Sequence, residues 1–285
     1  MNNLDDNLLF KKYILVGDEE NTSDWQKKLY EVNVDKCIGK IRLEQITGNW
    51  NEDTLYILCD KDISGVNDIG YRNNLNYGQD YFDARCFWIL VNKIINPKVR
   101  LLLAYGNCQV HYALNCLESI IEPNKEFFVE YFNLTDFKYW EEKRFGLLSK
   151  YCDIFFYTIE SFTSRYRNGQ TYIDSINNKC MKIALPCYEF RGYFPQTNMN
   201  VLQGSKYDIL RDMYSPFQRA DLEIDKLEEE NFTREDIVKK IKNEEYFTEE
   251  LVIRNLEMSL RKLMVIDRLS DIKIYDYIAE NYAKY

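Results

Sequence analysis

The chain carries one thiol where an apolar strand should give way to a helix. Residues 99–108 read VRLLLAYGNC, a strand with Gly106 marking the turn, and 109–121, QVHYALNCLESII, have helical spacing with Val110, Leu114 and Leu117 on one face. Cys108 would then stand at the carboxyl edge of an α/β sheet, where such folds bind ligands. A helix N-terminus also favours thiolate over thiol, and its backbone N–H groups suit an oxyanion or a phosphate. Gly106 would let a substrate approach the backbone, and the Asn107 carboxamide would add a donor. His111, the single histidine of the sequence, follows Cys108 by three positions, close enough on a helix for a thiol–imidazole dyad. The competing reading of His111 is a partly exposed helix-face residue. Without it, base catalysis would fall to Asp153, Glu160 or a water.

Arg165, Arg167 and Arg191 each follow an expected strand and so could reach the same sheet edge, where guanidinium groups suit bidentate phosphate contacts. Solvated arginines without a ligand are the alternative. The tyrosine-rich segments around 81–88 and 137–145 could stack a base or sugar, or simply fill a core.

The elements that must position these residues read as two series. KYILVGD (12–18), CIGKIRLEQI (37–46) and TLYILCD (54–60) are expected strands, with a helix over 23–32 capped by Ser23 and another over 82–95. Strand, helix, strand, strand, helix suggests a small Rossmann-like unit over 1–97, although no GxGxxG follows the first strand. After Pro97 a second series begins: strands at 99–108, 126–132, 152–158 and 179–186 argue for a parallel sheet. The last stretch, about 205–285, is expected to be helical. Thr233 with Asp236 opens one helix, and Thr248 opens a longer one with Leu251, Ile253, Leu256, Leu260 and Leu263 on its core face. These helices would form a cap or an oligomer contact.

Composition sets limits. The net charge is −9, and 221–250 holds twelve acidic residues against five basic, so nucleic-acid binding is disfavoured. No run reaches the length of a membrane span, and the N-terminus lacks a signal-peptide pattern. Eight cysteines show no CxxC pairing and no histidine-rich neighbourhood. No metal site is therefore expected, and a cytoplasmic protein is the natural expectation.

The string YGNCQVHYALNCL (105–117) resembles the signature of WcbI-type polysaccharide biosynthesis proteins, whose strand–GNCQ–helix opening is similar to the nucleophile turn of SGNH hydrolases. YEFRGYFPQ (188–196) resembles that family's second recurrent segment, and the helical region near 258–282 is similar to its downstream part. The resemblance spans roughly 99–285. It implies an SGNH-like domain over 98–285 that binds coenzyme A or acetyl-CoA and transfers an acyl group to a sugar in capsule or cell-surface polysaccharide assembly. Gly106, Asn107, Cys108 and Gln109 match the first motif; Gly192, Tyr193 and Pro195 match the second. Cys108, His111 and Asn107 would be catalytic, with Gly106, Gln109, Arg165, Arg167, Arg191, Gly192 and Tyr193 holding the cofactor. Two departures stand out: Phe194 sits where many relatives carry histidine, and the late Asp-x-x-His of SGNH enzymes is missing. A scaffold that binds the cofactor or a sugar nucleotide without turnover, or an SGNH-type esterase, are the alternatives. A homo-oligomer is compatible with all three.

Overall fold

The computed structural model describes residues 8, 11–32, 34, 36–42, 45, 53–59, 75–121, 127–133, 139–158, 169–186, 197–198, 220–221, 227–243 and 248–281. Two compact units make up the chain, 1–183 and 184–285.

Two four-stranded sheets have the same strand order. β1 (Lys12–Val16), β2 (Cys37–Ile41), β3 (Thr54–Leu58) and β4 (Tyr81–Asp83) lie in the order β2-β1-β3-β4, and every pairing is parallel. β5 (Arg100–Gly106), β6 (Phe127–Asn133), β7 (Ile154–Thr158) and β8 (Met181–Leu185) lie in the order β6-β5-β7-β8, with β5 parallel to both neighbours. Parallel strands need crossover connections, and helices supply them. α1 (Glu19–Glu31) links β1 to β2, α3 (Cys108–Ile120) links β5 to β6, and α4 (Tyr139–Leu148) lies between β6 and β7 in sequence. A short helix, α5 (Gly169–Ser175), precedes β8. β3 is buried along its whole length, and β5 from Leu101 onward, as expected for parallel strands covered on both faces. The α/β class read from the sequence is the one observed.

α2 (Ala84–Ile95) packs between the two sheets. Its Phe87 ring lies 5.9 Å from Tyr13 of β1 and 5.8 Å from Phe82 of β4. Its next residue, Trp88, sits 4.7 Å from Phe128 of β6. One apolar cluster accordingly runs from Leu8 to Cys180.

Several element ends differ from expectation for identifiable reasons. α1 starts at Glu19, not near Ser23, because Asp18 accepts the Asn21 N–H at 2.7 Å and two glutamates follow in the first turn. Carboxylates there complement the helix dipole better than a serine further on. Ser23 instead accepts from Lys40 Nζ at 2.9 Å. β2 stops at Ile41, where the Gln45 side chain takes the Arg42 N–H at 2.7 Å. Residues expected to begin α2 form β4, which pairs with β3; Asp83 ends that strand and caps α2 by accepting the Cys86 N–H at 2.8 Å.

In the second unit, β9 (Thr197–Asn198) and β10 (Ala220–Asp221) form a short antiparallel pair. α6 (Arg234–Ile241) begins as expected: Thr233 accepts the Asp236 N–H and donates its hydroxyl to the Asp236 carboxylate. α7 (Glu249–Leu269) buries Leu263, but Ile253, assigned to the core face from its spacing, is exposed. Asp267 near the end of α7 caps α8 (Tyr275–Asn281) by accepting from the Ile274 and Tyr275 N–H groups at 2.9 and 2.7 Å. No helix among the described residues is long and apolar enough to cross a membrane.

Candidate functional site

β5 ends at the feature singled out from sequence. Asn107 leaves the strand at φ −84°, ψ −172° and is the N-cap of α3, its Oδ1 accepting the Gln109 N–H at 3.0 Å. Its carbonyl accepts from the Val110 and His111 N–H groups at 3.1 and 3.4 Å. A short carboxamide suits this place because its oxygen reaches back to a first-turn donor. Asn107 is buried, and the oxygen of its carboxamide serves the cap.

The missing side chain at Gly106 has a packing consequence. A Cβ built there would meet Val110 Cγ2 at 2.5 Å and Thr158 Cγ2 at 3.2 Å. The missing side chain thus lets α3 and the end of β7 close onto β5, and that flank is filled by protein. Val110 and Thr158 are both fully buried. The order β6-β5-β7 makes the carboxyl ends of β5 and β7 the point where connections leave to opposite sides, which is where open α/β sheets bind ligands.

Cys108 is the first residue of α3, and His111 follows one turn later; the structure describes the backbone of Cys108 but not its thiol. His111 is exposed, with its ring 4.9 Å from that of Tyr131 on β6. Tyr131 is the residue that motif reading missed. Its hydroxyl donates to the carbonyls of Gly106 and Asn107, both at 3.0 Å, which pins the strand-to-helix turn from the neighbouring strand. The only sequence signal was a polar-tipped residue near the end of an apolar strand.

β6 is itself fixed by buried charge. Glu130 pairs with Arg85 of α2 and Arg144 of α4, and Arg144 Nε lies 3.4 Å from Asp83 Oδ2. Burial opposes the Arg144 charge, but Glu130 and Asp83 more than offset it and hold the guanidinium above its ordinary value. Tyr77 donates to Asp83; burial and that carboxylate push the phenol well above its ordinary 10.0.

Asp153 is removed as a base candidate. Its carboxylate accepts from the Leu101 N–H at 2.6 Å and Lys93 Nζ at 2.7 Å, at the amino end of β5. With about 3.3 Å per strand residue, that is roughly 20 Å from the Cys108 turn. Glu160, Arg165, Arg167, Arg191, Gly192, Tyr193, Phe194 and Pro195 lie outside the described residues. No group of three or more metal-ligating side chains occurs among the described residues.

No curated protein matches the chain. A solved structure is similar in fold: a protein described as WcbI, a novel polysaccharide biosynthesis enzyme, in its native form without a disulfide bond between coenzyme A and one of its cysteines. The likeness has a TM-score of 0.51 at 13% identity and covers 64% of this chain and 60% of that one. The chain thus spans less than two thirds of that protein's length. The family described as polysaccharide biosynthesis enzyme WcbI matches residues 101–285, from the second residue of β5 onward. Its span takes in the strand, the Gly106–Gln109 turn and all of the second unit, and the chain belongs to the WcbI polysaccharide biosynthesis enzyme family.

Proposed function

We propose that the protein is a coenzyme A-dependent acyltransferase, an acetyltransferase in the simplest case, acting on a sugar during capsule or cell-surface polysaccharide biosynthesis in the cytoplasm. The observation that carries this reading is the family match, which includes the strand–GNCQ–helix turn. The solved WcbI structure, described as free of a disulfide bond between coenzyme A and one of its cysteines, supports the choice of donor. In the same reading, the first sheet is a Rossmann-like unit ahead of an SGNH-like domain starting near residue 98.

Bound acyl-coenzyme A would supply an acyl group activated as a thioester and leave as free coenzyme A. The turn suits it: a helix N-terminus beside the carboxyl ends of β5 and β7 favours a thiolate and a developing oxyanion. Cys108 would contact the thioester end, and its own N–H would meet the oxyanion, since the Gln109, Val110 and His111 donors are turned to Asn107. His111 would take the proton of the acceptor hydroxyl from the exposed face of the same turn. Arg165, Arg167 and Arg191 would neutralise phosphates, and Gln109, Gly192 and Tyr193 are the further cofactor contacts that the family resemblance implies.

A second reading, binding without transfer, is favoured by the location of Asp153 far from the turn, which removes one of the bases named from the sequence. One experiment separates the two. Thermal stabilisation by acetyl-CoA, together with coenzyme A release that depends on a sugar acceptor and disappears in Cys108→Ala and His111→Ala, supports transfer. Stabilisation without release supports the binding module. The absence of any thermal shift at millimolar ligand overturns both.

A further inference from the structure

A pair of sulfurs lies at the opposite end of the sheet from Cys108. Cys152 stands just before β7 and Cys180 just before β8, and the two strands are neighbours. The residues that follow the cysteines are tied side by side, the Met181 N–H donating to the Asp153 carbonyl at 2.9 Å. The two Sγ atoms are 3.4 Å apart in the buried apolar cluster. A disulfide requires an approach of about a further 1.4 Å. β8 is the sheet's edge strand, so this closure needs movement of only one element.

We infer that Cys152 and Cys180 are an oxidisable dithiol, a modification site remote from the Cys108 turn, which a low-molecular-weight disulfide converts into an intrachain cystine. The two thiols differ in the way such exchange needs. The hydrogen bond shared by the two sulfurs lowers the Cys180 thiol below its ordinary value, whereas burial pushes Cys152 well up. Cys180 is also the less buried of the two and stands beside the edge strand β8, so it is the attacking thiolate when that edge opens. Its sulfur attacks one sulfur of the small disulfide, whose S–S bond breaks and whose leaving thiolate takes up a proton. Cys152, on losing its proton to solvent, attacks the Cys180 sulfur of the mixed disulfide and expels the second small thiol. Two protein thiols are oxidised by two electrons, and one small disulfide is reduced to two thiols. The new bond closes the segment 152–180, which contains Arg165 and Arg167. It restricts the unfolded chain and raises the melting temperature.

The test is incubation of the full chain with oxidised glutathione, alkylation of residual thiols with N-ethylmaleimide, and non-reducing tryptic mapping. Cleavage at lysine and arginine isolates 151–165 and 180–182, each with one cysteine. The expected product is the two peptides joined, two hydrogens lighter than their sum and separated by dithiothreitol, from a protein that melts several degrees higher than its reduced form. Cys152→Ser is expected to lose the joined species and the melting shift while Cys180 retains glutathione. The inference fails if both peptides carry N-ethylmaleimide under conditions where exposed Cys116 has taken up glutathione. It also fails if either cysteine is joined to a third one instead.

Discussion

Replacing Gly106 with alanine tests why the turn before Cys108 has its shape. The added methyl would sit 2.5 Å from Val110 Cγ2, 3.0 Å from Val110 Cβ and 3.2 Å from Thr158 Cγ2. Valine has one strongly preferred rotamer in a helix, so α3 itself must shift. Overpacking of this kind costs about 1–3 kcal/mol, and the lower unfolded-state entropy of alanine returns about 0.4–1 kcal/mol. Gly106→Ala is thus expected to destabilise by about 1–2 kcal/mol, which for a unit of this size lowers Tm by roughly 2–8 °C. Val110→Ala alone empties a buried site and costs about 2 kcal/mol. The double variant should recover part of the loss, because the new methyl occupies the space the valine gave up, with a coupling of about 1 kcal/mol. Urea denaturation of the four proteins measures it. Strict additivity, or a Gly106→Ala protein as stable as the parent, would refute the packing explanation.

Three further outcomes follow from the surroundings of the turn. Tyr131→Phe keeps the ring beside His111 but removes the donor to the Gly106 and Asn107 carbonyls; a loss of about 1 kcal/mol by urea denaturation is expected, together with weaker coenzyme A binding by calorimetry. Glu130→Gln leaves buried Arg144 poorly paired; a loss of about 3–5 kcal/mol is expected, against near-neutrality if the pairing were solvent-like. Tyr77 and Cys86 are both held protonated, the thiol raised chiefly by burial. Unfolding releases their protons at the ordinary values of 10.0 and 9.0, so their contribution is complete below about pH 9 and is lost as pH rises above it. The urea midpoint should fall between pH 9 and 11, less steeply in Tyr77→Phe; identical slopes would contradict the assignment.

How far the sequence could be read depended on whether the signal was local. The strand over 99–108 and helix over 109–121 were legible because the apolar run, the glycine and the change of period all sit within twenty-three residues. Thr233 was legible as a cap for the same reason. The start of α1 was misread because Asp18 and Ser23 are both good caps, and only the acidic first turn decides between them. β4 could not be read: Tyr81–Asp83 is short, and its strand character comes from pairing with Tyr56–Leu58. At the turn, the places of Asn107 before the helix and Cys108 at its start were legible from type and spacing, but the packing role of Gly106 was not. The atoms that need its space belong to Val110 and Thr158, the latter fifty-two positions away. Tyr131 escaped notice because its partners are backbone carbonyls, which leave no pattern in side-chain types.

The central claim is that the Gly106–Gln109 turn is where this WcbI-family protein holds coenzyme A. A structure of the full chain with coenzyme A tests it most directly. The expected result places the thiol arm against the N-terminus of α3 beside Cys108. Coenzyme A bound with its thiol end away from that turn, or no bound ligand at saturating concentration, would contradict it.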